Sequence, residues 1–198
     1  TIVSVLAIPN TDYAFDHWEL DGVNVGSTNP YNITMNANHT LLAVFTTITP
    51  VGKFIKNPAN PILRPTSGAW DSKDVAHPTV IYHDGKFMMW YCGRSGTYWD
   101  IGLATSMDGI NWTKHPANPV LQRGTTGQPD YYTAYTPEVM FHEGKFKMWY
   151  GGWDGSKTTT CYAESPDGIN WTKRGRVLDV GSAGTWDSKH AYAPTVWI

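Results

Sequence analysis

MDGINWTK (107–114) and PDGINWTK (166–173) are near-copies lying 59 residues apart. The same offset carries YHDGKFMMWYCG (82–93) onto FHEGKFKMWYGG (141–152), with nothing inserted between the two landmarks. A further piece, AWDSKDVAHPTVIY (69–82), returns as TWDSKHAYAPTVWI (185–198). A repeat of about this length marks a solenoid, a propeller or an array. The chain therefore reads as two complete units and the opening of a third, about residues 57–115, 116–174 and 175–198.

Each unit reads as strands only, since no stretch keeps a helical period. HPTVIY is a short β-rich run, and Asp84-Gly85 in HDGK is a hairpin turn signal. KFMMWYCG is apolar on both faces, which predicts a strand covered on both sides. DIGLATS is a third strand and INWTKH a fourth. Four antiparallel strands per unit, stacked on the next unit, make a propeller blade. The expected fold is all-β: a partial propeller with blades over about 72–116 and 131–175. In the repeated phrase, Asp108 is expected to fold back onto backbone N–H groups while Gly109 supplies a positive φ. Trp112 and Trp171 are read as buried plugs between blades. On this reading the phrase is a hairpin clasp and carries no chemistry.

Of the 198 residues, 15 are Lys or Arg and 17 are Asp or Glu, and no basic stripe is present. Nucleic acid and anionic membrane are thereby poor partners. No apolar run approaches the roughly 20 residues of a membrane span. TIVSVLAIPN, the first ten residues, lacks a basic start and reads as a strand rather than a leader. Ten Trp and eleven Tyr serve as structure or as sugar-stacking platforms. Cys92 and Cys161 have no metal spacing; either they pair or they are two buried thiols. Asn32, Asn38, Asn111 and Asn170 each head an Asn-x-Thr sequon. The first two lie in polar, turn-rich sequence where a glycan is tolerated, and the last two belong to the clasp. These features place the chain outside the cell, at the cell surface.

Three pieces occur in order: Pro78 to Tyr91, Ala104 to Trp112, and Asn118 to Leu121. They resemble the propellers of the arabinanase, levansucrase and invertase group, glycoside hydrolase families 43, 32 and 130 among them, over about residues 54–198. AFDHWELDG with NPYNITMNANHTLLAVF resembles the C-terminal part of an internalin-type B-repeat, over residues 1–47. Phe15, Trp18, Gly22, Ile33, Met35, Leu41, Ala43 and Phe45 fall where that module needs core residues. Residues 48–56 are read as a linker, with Pro50 and Gly52 as breakers, and 57–198 as the partial propeller. The resemblance implies a window on a longer chain, because a propeller closes with about 4–8 blades.

In these hydrolases the innermost strand of each blade lines a funnel, where two carboxyls act about 5–10 Å apart. The resemblance implies an Asp before the first-strand proline, but this chain has His77, Thr136 and Ala193 there. Glu138, just after its proline, matches an acid that tunes pKa in some family 43 members. On an open, wet arc it is expected to lack the burial that would raise its own pKa. Asp71, Asp130 and Asp187 align, each seven residues ahead of a proline. Repetition favours a loop brace; the alternative is a sugar subsite in which Trp70 or Trp186 stacks and the Asp binds a hydroxyl. His77 and Tyr98 are further carbohydrate candidates. His83 and His142 read as hairpin residues. Triads, phosphate loops and zinc signatures are absent from the sequence, so no cofactor or metal is expected.

Three functions remain open. The first is a non-catalytic surface module with a structural, adhesive or glycan-binding propeller. The second is a glycoside hydrolase whose remaining acids lie in other blades. The third is a subunit of a polymer completed by other domains or by a neighbouring copy.

Overall fold

The computed structural model describes residues 1–10, 13–47 and 55–197. They form two compact units, 1–57 and 58 onward. Most of the expected linker lies outside the described residues.

The first unit contains β1 (Ile2–Val5), β2 (Tyr13–Leu20), β3 (Val23–Gly26), β4 (Tyr31–Thr34) and β5 (Leu41–Thr47). β1 pairs with β4, and β3, β2 and β5 form an antiparallel sheet in that order. Asp21 and Gly22 turn β2 into β3 with φ of 52° and 80°, the left-handed values that a two-residue hairpin requires. Asp21 also accepts the Thr40 N–H at 2.8 Å, which ties that turn to the start of β5. Trp18 and Ile33 are buried as expected, and Phe15 packs 5.3 Å from Trp18. Met35 and Phe45 are not core residues, being 42% and 36% exposed. Met35 stands just past the end of β4, and Phe45 meets Phe15 only edge-on.

The second unit has two four-stranded antiparallel blades, ordered as in the chain. Blade one is β6 (Asp74–His83), β7 (Lys86–Arg94), β8 (Asp100–Ser106) and β9 (Thr113–Lys114). Blade two is β10 (Thr133–His142), β11 (Lys145–Trp153), β12 (Thr158–Ser165) and β13 (Thr172–Leu178). Asp84 and Gly85 both take positive φ at the expected hairpin. β7 is buried along nearly its whole length, as its unbroken apolar run predicts.

The clasp forms as expected. Asp108 Oδ1 accepts the N–H groups of Ile110 (2.9 Å) and Asn111 (2.7 Å), and Asn111 Nδ2 donates to Oδ2 at 2.7 Å. These bonds hold the Asp108 carboxyl well below the usual carboxylate range. Asp167 repeats the arrangement with Ile169 and Asn170. The expected fourth strand is corrected by the same bonds. Asp108 takes up the N–H groups of Ile110 and Asn111, so pairing with β8 begins only at Thr113, as β13 begins only at Thr172 in blade two. Asn118 supplies the missing ladder with its side chain, accepting from Leu103 N at 2.8 Å and donating to Leu103 O at 2.9 Å.

The main core lies between the blades. Met88, Trp90, Ile101 and Leu103 of blade one meet Leu121, Ala134, Val139, Phe146, Met148 and Tyr150. Here the expected plug is corrected. Trp112 and Trp171 are half-buried, each hydrogen-bonded to the glycine carbonyl of its own clasp. Trp90 is the buried ring, 0% exposed, and its Nε1 donates to Gly168 O in the clasp of blade two at 2.9 Å. Cys92 and Cys161 are free and buried. Burial pushes their thiols up to about 12 and about 11, so neither is a reactive thiolate near neutral pH.

Candidate functional site

The repeated loop aspartates are braces. Asp71 and Asp130 are 0% and 1% exposed. Asp71 Oδ2 accepts from Tyr91 Oη at 3.1 Å and from the Lys114 ammonium. Asp130 Oδ2 accepts from Tyr150 Oη at 3.0 Å and from Lys173. Burial, then the adjacent Asp charge, raises both tyrosine pKa values, so both phenols stay protonated donors. The lysines are the last letter of the repeated phrase. MDGINWTK thus ends on the cation that holds a buried carboxylate in the loop before the first strand. Both carboxylates are fully covered, which corrects the sugar-subsite reading for them. Asp187 opens the third unit and binds the Thr185 hydroxyl at 2.7 Å.

Trp70 is half-buried over Gly93 and Gly102, where a Cβ would sit 2.6 Å from its ring. It packs 5.8 Å from Tyr91, so it closes the brace rather than offering a free face. Trp186 is 96% exposed. Tyr98 is half-buried in a cluster with Tyr132 and Trp153. Asn32 and Asn38 are both exposed, whereas the Asn111 and Asn170 side chains are engaged in their clasps.

The first strand of each blade carries the feature that sequence reasoning missed. His77 and Pro78 together oppose the single residue Tyr91, and Thr136 and Pro137 oppose Tyr150. These are β-bulges, and proline fits there because the ladder has already lost an N–H. His77, Thr136 and Ala193 take φ of 48°, 46° and 57°. Left-handed backbone costs a non-glycine residue about 1–3 kcal/mol, and such strain gathers at functional sites. A strained bulge therefore recurs at the position where the resemblance implies a catalytic acid. Its only sequence signal was a proline inside a strand-like run. Around it stand Trp99, 6.3 Å from His77, and Tyr135, 5.2 Å from Tyr192. Thr136 N donates to Cys92 Sγ at 3.1 Å, tying the second bulge to blade one. The Thr136 hydroxyl has no partner among the described residues.

Glu138 directly follows that bulge, near Thr79 of blade one. Burial raises its pKa above the ordinary 4.5, the Thr79 bond opposing this only in part. The expectation of an unshifted acid is thereby corrected, because the blade interface desolvates the carboxyl even on an open arc. A raised native pKa makes the folded state bind the proton more tightly. Its stabilising contribution is complete below the unfolded value and is lost as pH rises through the folded value. Glu138→Gln should therefore gain stability relative to the parent chain as pH rises from about 4 to about 7. Denaturant melts across that range check this, and a difference independent of pH would refute it. Asp74, at the start of β6, is paired with Arg94 at 2.7 Å. In β6 and β10, Glu138 is the acid left to face a ligand. One carboxyl can hold or release a proton, but it cannot also serve as its own opposing base or nucleophile.

Residues 1–49 match the divergent InlB B-repeat domain. An uncharacterized protein of Mycobacterium tuberculosis, in two strains, is 30% identical over 158 residues, covering 73% of this chain and 51% of the relative. The chain thus spans about half the length of the curated relatives it matches. A glycosyl hydrolase from Bacteroides ovatus aligns with TM-score 0.56 and 22% identity, over 68% of this chain and 43% of that one. A family 117 glycoside hydrolase from Zobellia galactanivorans aligns with TM-score 0.51 and 20% identity, over 61% and 43%. A family 130 structure aligns with TM-score 0.53 and 25% identity, over 68% and 42%; that family of mannoside phosphorylases contains glycoside hydrolases that target β-1,2 mannosidic linkages in Candida mannan. Residues from 58 onward therefore have the propeller fold of these glycoside hydrolases, and residues 1–49 match a divergent InlB B-repeat domain.

Proposed function

We propose that this segment is a carbohydrate-engaging, non-catalytic part of a modular extracellular surface protein. One observation carries the non-catalytic reading: the strained bulge positions hold His77, Thr136 and Ala193, with no carboxylate at any of them. Glycosidic cleavage by the common retaining and inverting routes needs two carboxyls facing each other across the bond, and Glu138 has no such counterpart on β6 or β10. The bulge remains suited to contact with a sugar. His77 is exposed beside Trp99. The exposed sequons at Asn32 and Asn38 and the B-repeat match support the extracellular assignment.

A second reading has its own support. The raised Glu138 carboxyl and the strained bulge suit a hydrolase whose other acids lie elsewhere in a longer chain. The test is a panel of aryl arabinosides, xylosides, fructosides and mannosides, assayed with this chain and with Glu138→Gln. No turnover is expected from either. Turnover that vanishes in the Gln variant would overturn the non-catalytic reading and make Glu138 a catalytic acid.

A further inference from the structure

The loop before the first strand is written WDSK at 70–73 and again at 186–189, but PDYY at 129–132. The middle copy keeps the bracing aspartate and changes everything around it. Its backbone does not change. Tyr132 N donates to Trp153 O at 2.9 Å, just as Lys73 N donates to Arg94 O at 2.9 Å. Tyr131 N donates to Gln128 O at 3.2 Å, as Ser72 N does to Ala69 O and Ser188 N to Thr185 O. The same backbone is satisfied by serine and lysine in the other copies, while here Tyr132 covers Gly155, where an added Cβ would meet its ring at 2.6 Å. Arg94, whose carbonyl accepts the Lys73 N–H, is likewise replaced by Trp153.

These departures converge. Tyr131 lies 4.6 Å from Tyr132, which lies 5.2 Å from Trp153 and 5.1 Å from Tyr98. Tyr131 also lines a groove of ≈ 480 Å³ with Gln128, Asp154, Ser156 and Arg176, a volume within the roughly 300–1,000 Å³ of small-molecule clefts. The charges of the groove are already matched. Arg176 reaches Asp179 at 2.9 Å and Asp154 at 3.6 Å, and Lys157 holds Asp179 at 2.7 Å. Among the described residues lining the groove, the one cation, Arg176, is already paired, which leaves none for a phosphate or a uronate. A half-buried ring beside an amide and paired charges matches the C–H face and vicinal hydroxyls of an uncharged sugar.

We propose that the groove between the 127–132 loop and the 153–157 turn is a binding surface for a neutral oligosaccharide, separate from the strand-one bulges. Tyr131 is its stacking residue, and Gln128 and Arg176 bind hydroxyls, while Asp154 holds the turn by accepting from Ser156 and Lys157. The proposal shares with the preceding section only the carbohydrate class of the ligand.

The test restores the repeat. Tyr131→Ser with Tyr132→Lys writes into blade two the residues that the other two copies carry on the same backbone, so the fold should be retained. Xylohexaose, mannohexaose, arabinohexaose and cellohexaose, with trigalacturonate as the acidic control, are titrated by calorimetry into the parent chain, the double variant and Glu138→Gln. At least one neutral hexaose should bind the parent chain. The double variant should bind it at least tenfold more weakly. Affinity unaltered in the double variant would overturn the proposal, as would preference for trigalacturonate. Binding lost in Glu138→Gln but kept in the double variant would locate the sugar at the bulge, which overturns the groove and supports the preceding reading. No binding to any sugar would overturn both.

Discussion

Lys173→Met should cost the second unit about 3–5 kcal/mol, the usual loss when one partner of a buried ion pair is removed. The Asp130 carboxylate is 1% exposed and depends on Lys173 and the Tyr150 hydroxyl. With the ammonium gone, one phenol faces a carboxylate that has no access to water. The chain must then carry an uncompensated buried charge, which is unfavourable. Lys114→Met should behave alike in blade one, where the ammonium also holds Arg64 O at 2.6 Å and the Thr66 hydroxyl at 2.8 Å. The exposed pair of Lys147 with Glu143, at 2.9 Å, supplies the contrast. Its removal should cost less than about 1 kcal/mol. Denaturant melts of the three variants decide the matter. A loss under about 1 kcal/mol for Lys173→Met would mean that water reaches Asp130 and that the brace is not a buried pair. Lys173→Met combined with Asp130→Asn should recover part of the loss, because the charge leaves together with its partner.

The blades were legible because their signals are local. Asp84-Gly85 dictates a hairpin by φ alone, KFMMWYCG needs cover on both faces, and the period of 59 fixes the stacking. The strand-one bulge was not legible in this way. Its strain comes from pairing two residues against one across a sheet, which no window of sequence displays; Pro78 and Pro137 merely permit it. The pKa of Glu138 was misjudged for the same reason, since the desolvation that raises it comes from tertiary packing and not from its neighbours in sequence. The aspartates show the opposite case. Their regular recurrence argued for a brace, and the partners Tyr91 with Lys114 and Tyr150 with Lys173 are repeated letters too. The groove at Tyr131 was visible only as a failure of the repeat. That signal acquires meaning once the backbone of the failing copy is seen to match the others.

Trp90→Ala should cost about 3–5 kcal/mol, the range for truncating a fully buried large side chain. The Trp90 ring lies 5.6 Å from Phe146 and 6.1 Å from Trp171. A Cβ added at Gly168 would come within 2.8 Å of it, so the clasp of blade two closes directly onto the indole. Truncation opens a cavity between the blades and also removes the donor to the Gly168 carbonyl. Trp149 occupies the same place in the repeat as Trp90, yet it is half-buried, 5.0 Å from Tyr162. Trp149→Ala should therefore cost roughly half as much, and so should Trp112→Ala and Trp171→Ala, because stabilisation follows the apolar area withdrawn from water. Measuring all four by denaturant unfolding separates two accounts of the motif. If the letter of the repeat sets the energy, Trp90 and Trp149 fall together, and so do Trp112 and Trp171. If the neighbouring blade sets it, Trp90 stands apart from the other three. Equal losses at Trp90 and Trp149 would mean that the packing between blades is not what holds the described blades together.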